Sequence, residues 1–307
     1  MSFDHLQDLI KAKKNPTVAG LDPKPEYVPP HIRKASYDKY GETLEGAADA
    51  ILQFNKGLMD ALCDVVPAVK PQAAYYEKLG WQGMKAMEET IRYAREKGLF
   101  VIADIKRGDI GSTAQAYSDG WLGKTQVGDK LLPAFDVDCV TVNGYMGSDA
   151  INPFLETCQA EDKCIFTLVK TSNPSSSELQ DMVAGDRVAY QVMGDLTQRL
   201  SRDDLGKYGY TRAGAVVGAT YPSDLRALRK RLEHTFFLVP GYGAQGGTAE
   251  DVQYAFDKYG RGAIVNASRS IMCAWQKTGK DGMDYQDAAR AAAEAMRDDI
   301  RQFVTIL

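Results

Sequence analysis

Histidine is scarce in this chain of 307 residues: His5, His31 and His234 are the only three. None stands in a His-x-x-x-His or comparable ligand spacing, which excludes the common zinc-hydrolase arrangement. His5 falls in an amphipathic helical segment, His31 in the Pro29-Pro30-His31 stretch, and His234 ahead of an apolar strand; none is placed for catalysis. The five cysteines (Cys63, Cys139, Cys158, Cys164, Cys273) are odd in number and form no Cys-x-x-Cys pair. Neither a disulfide framework nor a redox dithiol is expected. Cys63, Cys139 and Cys164 lie in apolar settings and are expected to be reduced core residues, in keeping with a cytoplasmic protein. A Gly-x-Ser-x-Gly elbow is missing, and so is a Gly-x-Gly-x-x-Gly turn after the first strand. Residues 1–6 show neither a basic start nor an apolar h-region, so no signal peptide is expected. No apolar run approaches the ~18 residues of a membrane span. The net charge of −4 offers no bulk attraction to nucleic acid or an anionic membrane. An anionic ligand would need a local cluster of positive groups.

What the chain does have is a regular alternation of patterns. Phe3, Leu6 and Ile10 fall at helical spacing and predict a short N-terminal helix over residues 3–14. Eight apolar runs read as strands: 17–23, 65–70, 99–106, 138–143, 164–170, 213–219, 236–240 and 263–267. Helical periodicity separates them at 42–63, 82–97, 178–200, 223–232, 248–258 and 284–304. Eight strands alternating with helices predict an α/β protein, a (β/α)8 TIM barrel with a short N-terminal helix, as one domain over residues 1–307. Segments 111–137 and 171–212 are long for loops and are expected to combine helix with active-site loop.

In such a barrel the functional groups collect at the C-terminal ends of the strands. The third strand is the most informative. It ends in Asp104-Ile105-Lys106-Arg107-Gly108-Asp109. Alternation puts Asp104 and Lys106 on one face, and Gly108 breaks the strand so that Asp109 falls on a loop. Charges on an apolar strand are costly unless paired or used; a strand that becomes solvated one residue early would show the same letters. The other strand ends are also polar: Asp22, Lys70-Pro71-Gln72, Asn143-Gly144, Lys170-Thr171-Ser172-Asn173-Pro174, Thr220, the Gly-rich stretch around Gln245, and Asn266-Ala267-Ser268-Arg269-Ser270. Loops after the seventh and eighth strands often hold phosphate, and the Arg guanidinium is a planar fork suited to phosphate oxygens. Arg269 beside a Gly-rich loop therefore points to a phosphorylated small molecule, with a surface salt bridge as the alternative. Without a placed histidine, the chemistry has to run on Lys and Asp. A lysine between carboxylates stays protonated and suits proton donation better than Schiff-base formation.

Asp104-x-Lys106-x-x-Asp109 resembles the central motif of the orotidine 5′-phosphate decarboxylase family. Gly20-Leu21-Asp22-Pro23, Val69-Lys70-Pro71-Gln72, Thr171-Ser172-Asn173-Pro174 and the stretch from Pro240 to Gly247 resemble its longer bacterial branch, type 2. The resemblance runs in order from Asp22 to Arg269. It implies decarboxylation of orotidine 5′-monophosphate (OMP) to uridine 5′-monophosphate (UMP), the last step of de novo UMP synthesis, with no metal and no organic cofactor. It further implies a Lys-Asp-Lys-Asp array of Lys70, Asp104, Lys106 and Asp109, with Lys106 protonating C6 and Asp104 near the departing carboxylate. Lys70 and Asp109 would fix the array, and Lys70 would also reach the ribose. Asp22 would bind ribose hydroxyls, Ser172 the pyrimidine, and Gln245 and Arg269 the phosphate. A homodimer is implied, in which Asp109, Ile110 and Thr113 serve the neighbouring subunit's site. One departure stands out: many relatives have Gly before the final Arg, where this chain has Ser268, so a main-chain contact to phosphate there is in question. Two other readings share parts of the pattern. One is a Mg2+-dependent sugar-phosphate barrel such as a keto-gulonate phosphate decarboxylase or hexulose-phosphate synthase, against which Lys70 and Thr171-Ser172-Asn173 speak. The other is a non-catalytic UMP-binding barrel, which would have no need of Lys106.

Overall fold

The computed structural model describes residues 2–243 and 245–307. Eight parallel strands close into a barrel: β1 (Thr17–Leu21), β2 (Ala68–Pro71), β3 (Phe100–Arg107), β4 (Cys139–Val142), β5 (Cys164–Lys170), β6 (Ala213–Val217), β7 (Phe237–Val239) and β8 (Ala263–Ala267). Each strand pairs with its sequence neighbours, and β8 returns to β1 through Thr17↔Val265 and Ala19↔Ala267. The expected (β/α)8 barrel is the observed fold. The helices are α1 (Ser2–Lys13), α2 (Pro30–Tyr40), α3 (Leu44–Leu62), α4 (Gly80–Glu96), α5 (Gly111–Trp121), α6 (Asn152–Glu161), α7 (Ala189–Leu200), α8 (Pro222–Arg231) and α9 (Tyr285–Arg301), together with shorter helical turns.

Strand alternation divides the core in two. Phe100 and Ile102 of β3 join Ala68, Cys139, Cys164, Phe166, Leu238 and Ile264 inside the barrel. Val101 and Ala103 join the layer between strands and helices, with Val69, Val140, Leu58 and Met87. The inner layer is aromatic, and it fits because β6 yields space: a Cβ at Gly214 would stand 2.6 Å from Phe166 Cδ1. The same alternation carries Asp104 into the barrel, two residues beyond Ile102.

Helix α1 seals the N-terminal end of the barrel. Phe3 stacks on Phe236, with ring centroids 4.8 Å apart, and lies 5.0 Å from Phe166. Leu6 and Ile10 are fully buried beside them. Polar ties fix the helix: the Asp4 carboxylate accepts from the N–H groups of Lys207 and Tyr208 at 3.1 and 3.2 Å, and Gln7 Oε1 accepts from the N–H of Gly262 at 3.2 Å. With this end closed, access to the barrel interior is from the opposite rim.

Several elements differ from the sequence expectation. The helix expected over 178–200 is a turn (Ser177–Gln180), a small hairpin of Val183–Ala184 and Arg187–Val188, and then α7. Gly185, at φ +69°, makes the hairpin turn. Segment 111–137 holds α5 and a hairpin of Thr125–Val127 with Lys130–Leu132. The expected helix 248–258 is one turn, Ala249–Val252, opened by a Thr248–Asp251 capping box and continued by a 3-10 turn. Helix α2 was not anticipated: Pro30 sits in its first turn, where a missing N–H costs nothing. Among the cysteines, Cys139 and Cys164 are core residues as expected, but Cys63, just past the end of α3, is only partly buried, whereas Cys158 and Cys273 are buried. No helix among the described residues is long and apolar enough to cross a membrane.

Candidate active site

At the open rim, β2 and β3 end side by side and bring three charges together. Lys70 lies at the end of β2 with its side chain 5% exposed, and Asp104 on β3 is 9% exposed. Lys70 Nζ donates to Asp104 Oδ2 at 2.7 Å, and Lys106 Nζ donates to Asp104 Oδ1 at 2.5 Å. Burial alone would raise the Asp104 pKa, but the two ammonium groups and their hydrogen bonds hold it well below the usual carboxylate range. Burial would likewise lower Lys70; the negative charges of Asp104 and Asp22 outweigh it and raise its pKa. Both shifts favour the ionised pair. Lys106 is the exposed member, its side chain 45% accessible at the mouth. The array thus has a buried, locked base and one ammonium presented to the opening.

Beside the array is a cleft of about 320 Å³ lined by Asp22, Lys24, Tyr75, Gly241, Tyr242, Gln245, Asn266, Ser268 and Arg269. Among the described residues, Asp22 Oδ1 is buried there without a hydrogen-bond partner, as is Asn266 Oδ1. Buried acceptors of this kind want a donor, and ligand hydroxyls would supply one. Arg269 stands at the rim of the cleft; among the described residues no carboxylate pairs with it. Gly241, at φ +99°, lets the loop after β7 turn inward: a Cβ there would lie 3.3 Å from Ser172 Cβ and 3.4 Å from Gln245 Oε1. Ser172 and Gln245 are therefore near neighbours across one glycine. Ser268 also has a defined seat, since a Cβ on Gly20 would fall 1.9 Å from its Oγ. A second depression, of about 290 Å³, lies on the barrel flank around Tyr40, Lys56 and Trp81 and has no link to the strand ends.

The structure brings together Lys70, Asp104 and Lys106, and places Asp22, Gln245 and Arg269 on the adjoining cleft. Among the described residues, Asp109 makes no ion pair or hydrogen bond with Lys70, Asp104 or Lys106. It follows β3 half-buried, and its Oδ1 accepts from the N–H of Ile110 at 2.8 Å. Ile110 is 51% exposed, and Thr113 is exposed in the first turn of α5. The three histidines are exposed: His5 lies on α1 and His234 before β7, both toward the closed end of the barrel, and His31 lies in the first turn of α2. Groups of three or more side chains suited to hold a metal ion do not occur among the described residues. Sequence reasoning gave no role to Lys24 or Tyr75 of the cleft, and took Asn266 only as part of the polar end of the eighth strand. Lys24 was signalled by its place directly after the first strand end, and Asn266 by its place in the polar end of the eighth. Thr141 was also missed; its Oγ1 touches both Asp104 and Lys106.

Comparison with known proteins agrees with this arrangement. Residues 47–279 match the model of the orotidine 5′-phosphate decarboxylase / HUMPS family. The chain is 43% identical over 289 residues to an orotidine 5′-phosphate decarboxylase of Rhodopirellula baltica, covering 93% of this chain and 94% of that protein. It is 40% identical over 296 residues to one of Clostridium perfringens, covering 96% of each. Among solved structures, Leishmania donovani OMP decarboxylase superposes with a TM-score of 0.73 at 29% identity, covering 99% of both chains. The Methanocaldococcus jannaschii enzyme, solved with the inhibitor BMP, superposes at 0.59 with 16% identity over 92% of this chain and 98% of its own, a likeness of fold. A parallel barrel with a Lys-Asp-Lys array at its open rim, matched along nearly its whole length by these relatives, belongs to the orotidine 5′-phosphate decarboxylase family.

Proposed function

We propose that this enzyme decarboxylates orotidine 5′-monophosphate to UMP and CO2, the final step in making UMP. The observation that carries the reading is the buried Asp104 locked between Lys70 and Lys106 beside a cleft whose far wall holds Arg269. When the C6–carboxylate bond breaks, its electron pair stays on C6 in the plane of the ring, where no π system accepts it. The Lys106 ammonium, presented at the mouth, stabilises that charge as it develops and then gives C6 its proton; solvent restores the lysine. Asp104 faces the departing carboxylate and anchors Lys106. Lys70 holds Asp104 ionised and reaches toward the ribose, whose hydroxyls donate to Asp22. Ser172 bonds the pyrimidine, and Gln245 and Arg269 grip the phosphate. Binding the phosphate far from C6 supplies energy to position the ring. Asp109, with Ile110 and Thr113, completes the array of a second subunit in a homodimer, which accounts for its lying outside the array of its own chain.

The test is direct. Purified protein is mixed with OMP in excess EDTA, and loss of substrate is followed with identification of the product. Conversion to UMP is expected, and Lys106→Ala should lower kcat by at least about 10³-fold while UMP still binds. UMP binding without turnover by the wild type would replace this reading with a nucleotide-binding barrel. Failure to bind UMP at all, or activity only with added Mg2+ on a sugar phosphate, would replace it with the sugar-phosphate barrels.

A further inference from the structure

Strands β3 and β4 pair in ordinary register at Ile102↔Cys139 and Ala103↔Val140, and pair again only at Arg107↔Val142. Between these points three residues of β3, Asp104 to Lys106, face a single residue of β4, Thr141. The surplus chain is taken up at Lys106, which has φ +48°. A left-handed conformation is strained for a residue with a Cβ, and strain of this kind persists only where the surroundings enforce it. The bulge also takes the backbone N–H of Lys106 off the ladder, and that donor needs a new acceptor.

Thr141 supplies it. The Lys106 N–H donates to Thr141 Oγ1 at 2.9 Å, and the same hydroxyl donates its one proton to Asp104 Oδ1 at 2.9 Å. Asp104 Oδ1 in turn accepts from Lys106 Nζ. The loop closes: backbone of Lys106, hydroxyl of Thr141, carboxylate of Asp104, ammonium of Lys106. Thr141 is 1% exposed, so water does not stand in for it. Building on the decarboxylase reading above, we infer that Thr141 is a positioning residue for the reaction: it holds Lys106 in its left-handed conformation and Asp104 in its rotamer, so that the ammonium is aimed before substrate arrives.

Three variants test this. Thr141→Val keeps the shape and removes the hydroxyl; Thr141→Ser keeps the hydroxyl and drops the methyl; Thr141→Ala lacks both. OMP turnover, KM, the UMP dissociation constant and Tm are measured for each and for the wild type. Thr141→Val is expected to lose about 10- to 100-fold in kcat with KM and UMP affinity within about threefold, because the aiming of an ammonium is needed for the transition state rather than for binding. Thr141→Ser should recover at least about a third of wild-type kcat. If Thr141→Val does not fold, the Ser and Ala variants, equal in the lost methyl, make the same comparison. The assignment is overturned if Val, or Ala relative to Ser, keeps kcat within twofold, or if kcat, UMP affinity and Tm fall together and Ser rescues none of them. A wild type inactive on OMP overturns the decarboxylase reading and this role with it; an active wild type with an unaffected Thr141→Val overturns the role alone.

Discussion

Asp104 cannot be understood apart from its two lysines. Its folded pKa lies below the ordinary carboxylate value, so its ionised form stabilises the fold at every pH above about 4 and that contribution fades as pH falls further. Lys70 is raised above its ordinary value, so its contribution is complete below about pH 10 and is lost as pH rises through the folded pKa. The pair is therefore intact from about pH 4 to 10. Asp104→Asn leaves Lys70 buried without its main partner and should cost about 3–5 kcal/mol at pH 7, read by urea denaturation. The deficit should shrink toward pH 10, where the unpartnered Lys70 sheds its proton; a deficit that stays flat with pH would contradict the account. The residues of this pair were legible in the sequence because charge on a buried strand is rare enough to attract notice. Thr141 was not, since a threonine on a strand is ordinary and its importance arises from a bulge that no local pattern announces.

Among the elements, strands and barrel order were legible because apolar runs of this length, regularly spaced, leave few other ways to bury both faces of a sheet. Helices were less so. The stretch 178–200 has helical periodicity throughout, yet Gly185 and its neighbours make a hairpin tip of its first half, and α2 begins at a proline that reads as a breaker but serves as a first-turn residue. The spacing of Phe3, Leu6 and Ile10 announced α1 without announcing its task as the barrel's floor. Phe3 is 1% exposed between two phenylalanine rings. Phe3→Ala should lower stability by about 3–5 kcal/mol with kcat unchanged in the folded fraction, since the cavity opens at the end of the barrel away from the site. A loss of kcat at full folding would show that the floor and the rim are coupled.

At the scale of the molecule, the described chain joins Lys70, Asp104 and Lys106, and carries Asp109, the fourth charge of the array proposed above, on a loop with exposed Ile110 and Thr113. The proposed homodimer predicts complementation. Asp109→Ala and Arg269→Ala, each inactive alone, should regain up to about a quarter of wild-type activity when mixed and allowed to exchange subunits, because mixed dimers hold one site with both defects and one with neither. Verified exchange with no recovery would refute a shared site. The barrel's closure has one more consequence, for the order in which the protein is made. Helix α1 packs on residues that follow far behind it: Gln7 meets Gly262 at a separation of 255 residues, and β1 completes the ring only against β8. At about 5–20 residues per second of synthesis, α1 is made roughly 10–50 s before its seat exists. For that interval its apolar stripe has no native partner, so the segment that floors the finished barrel is the one that nascent-chain chaperones have the longest opportunity to hold.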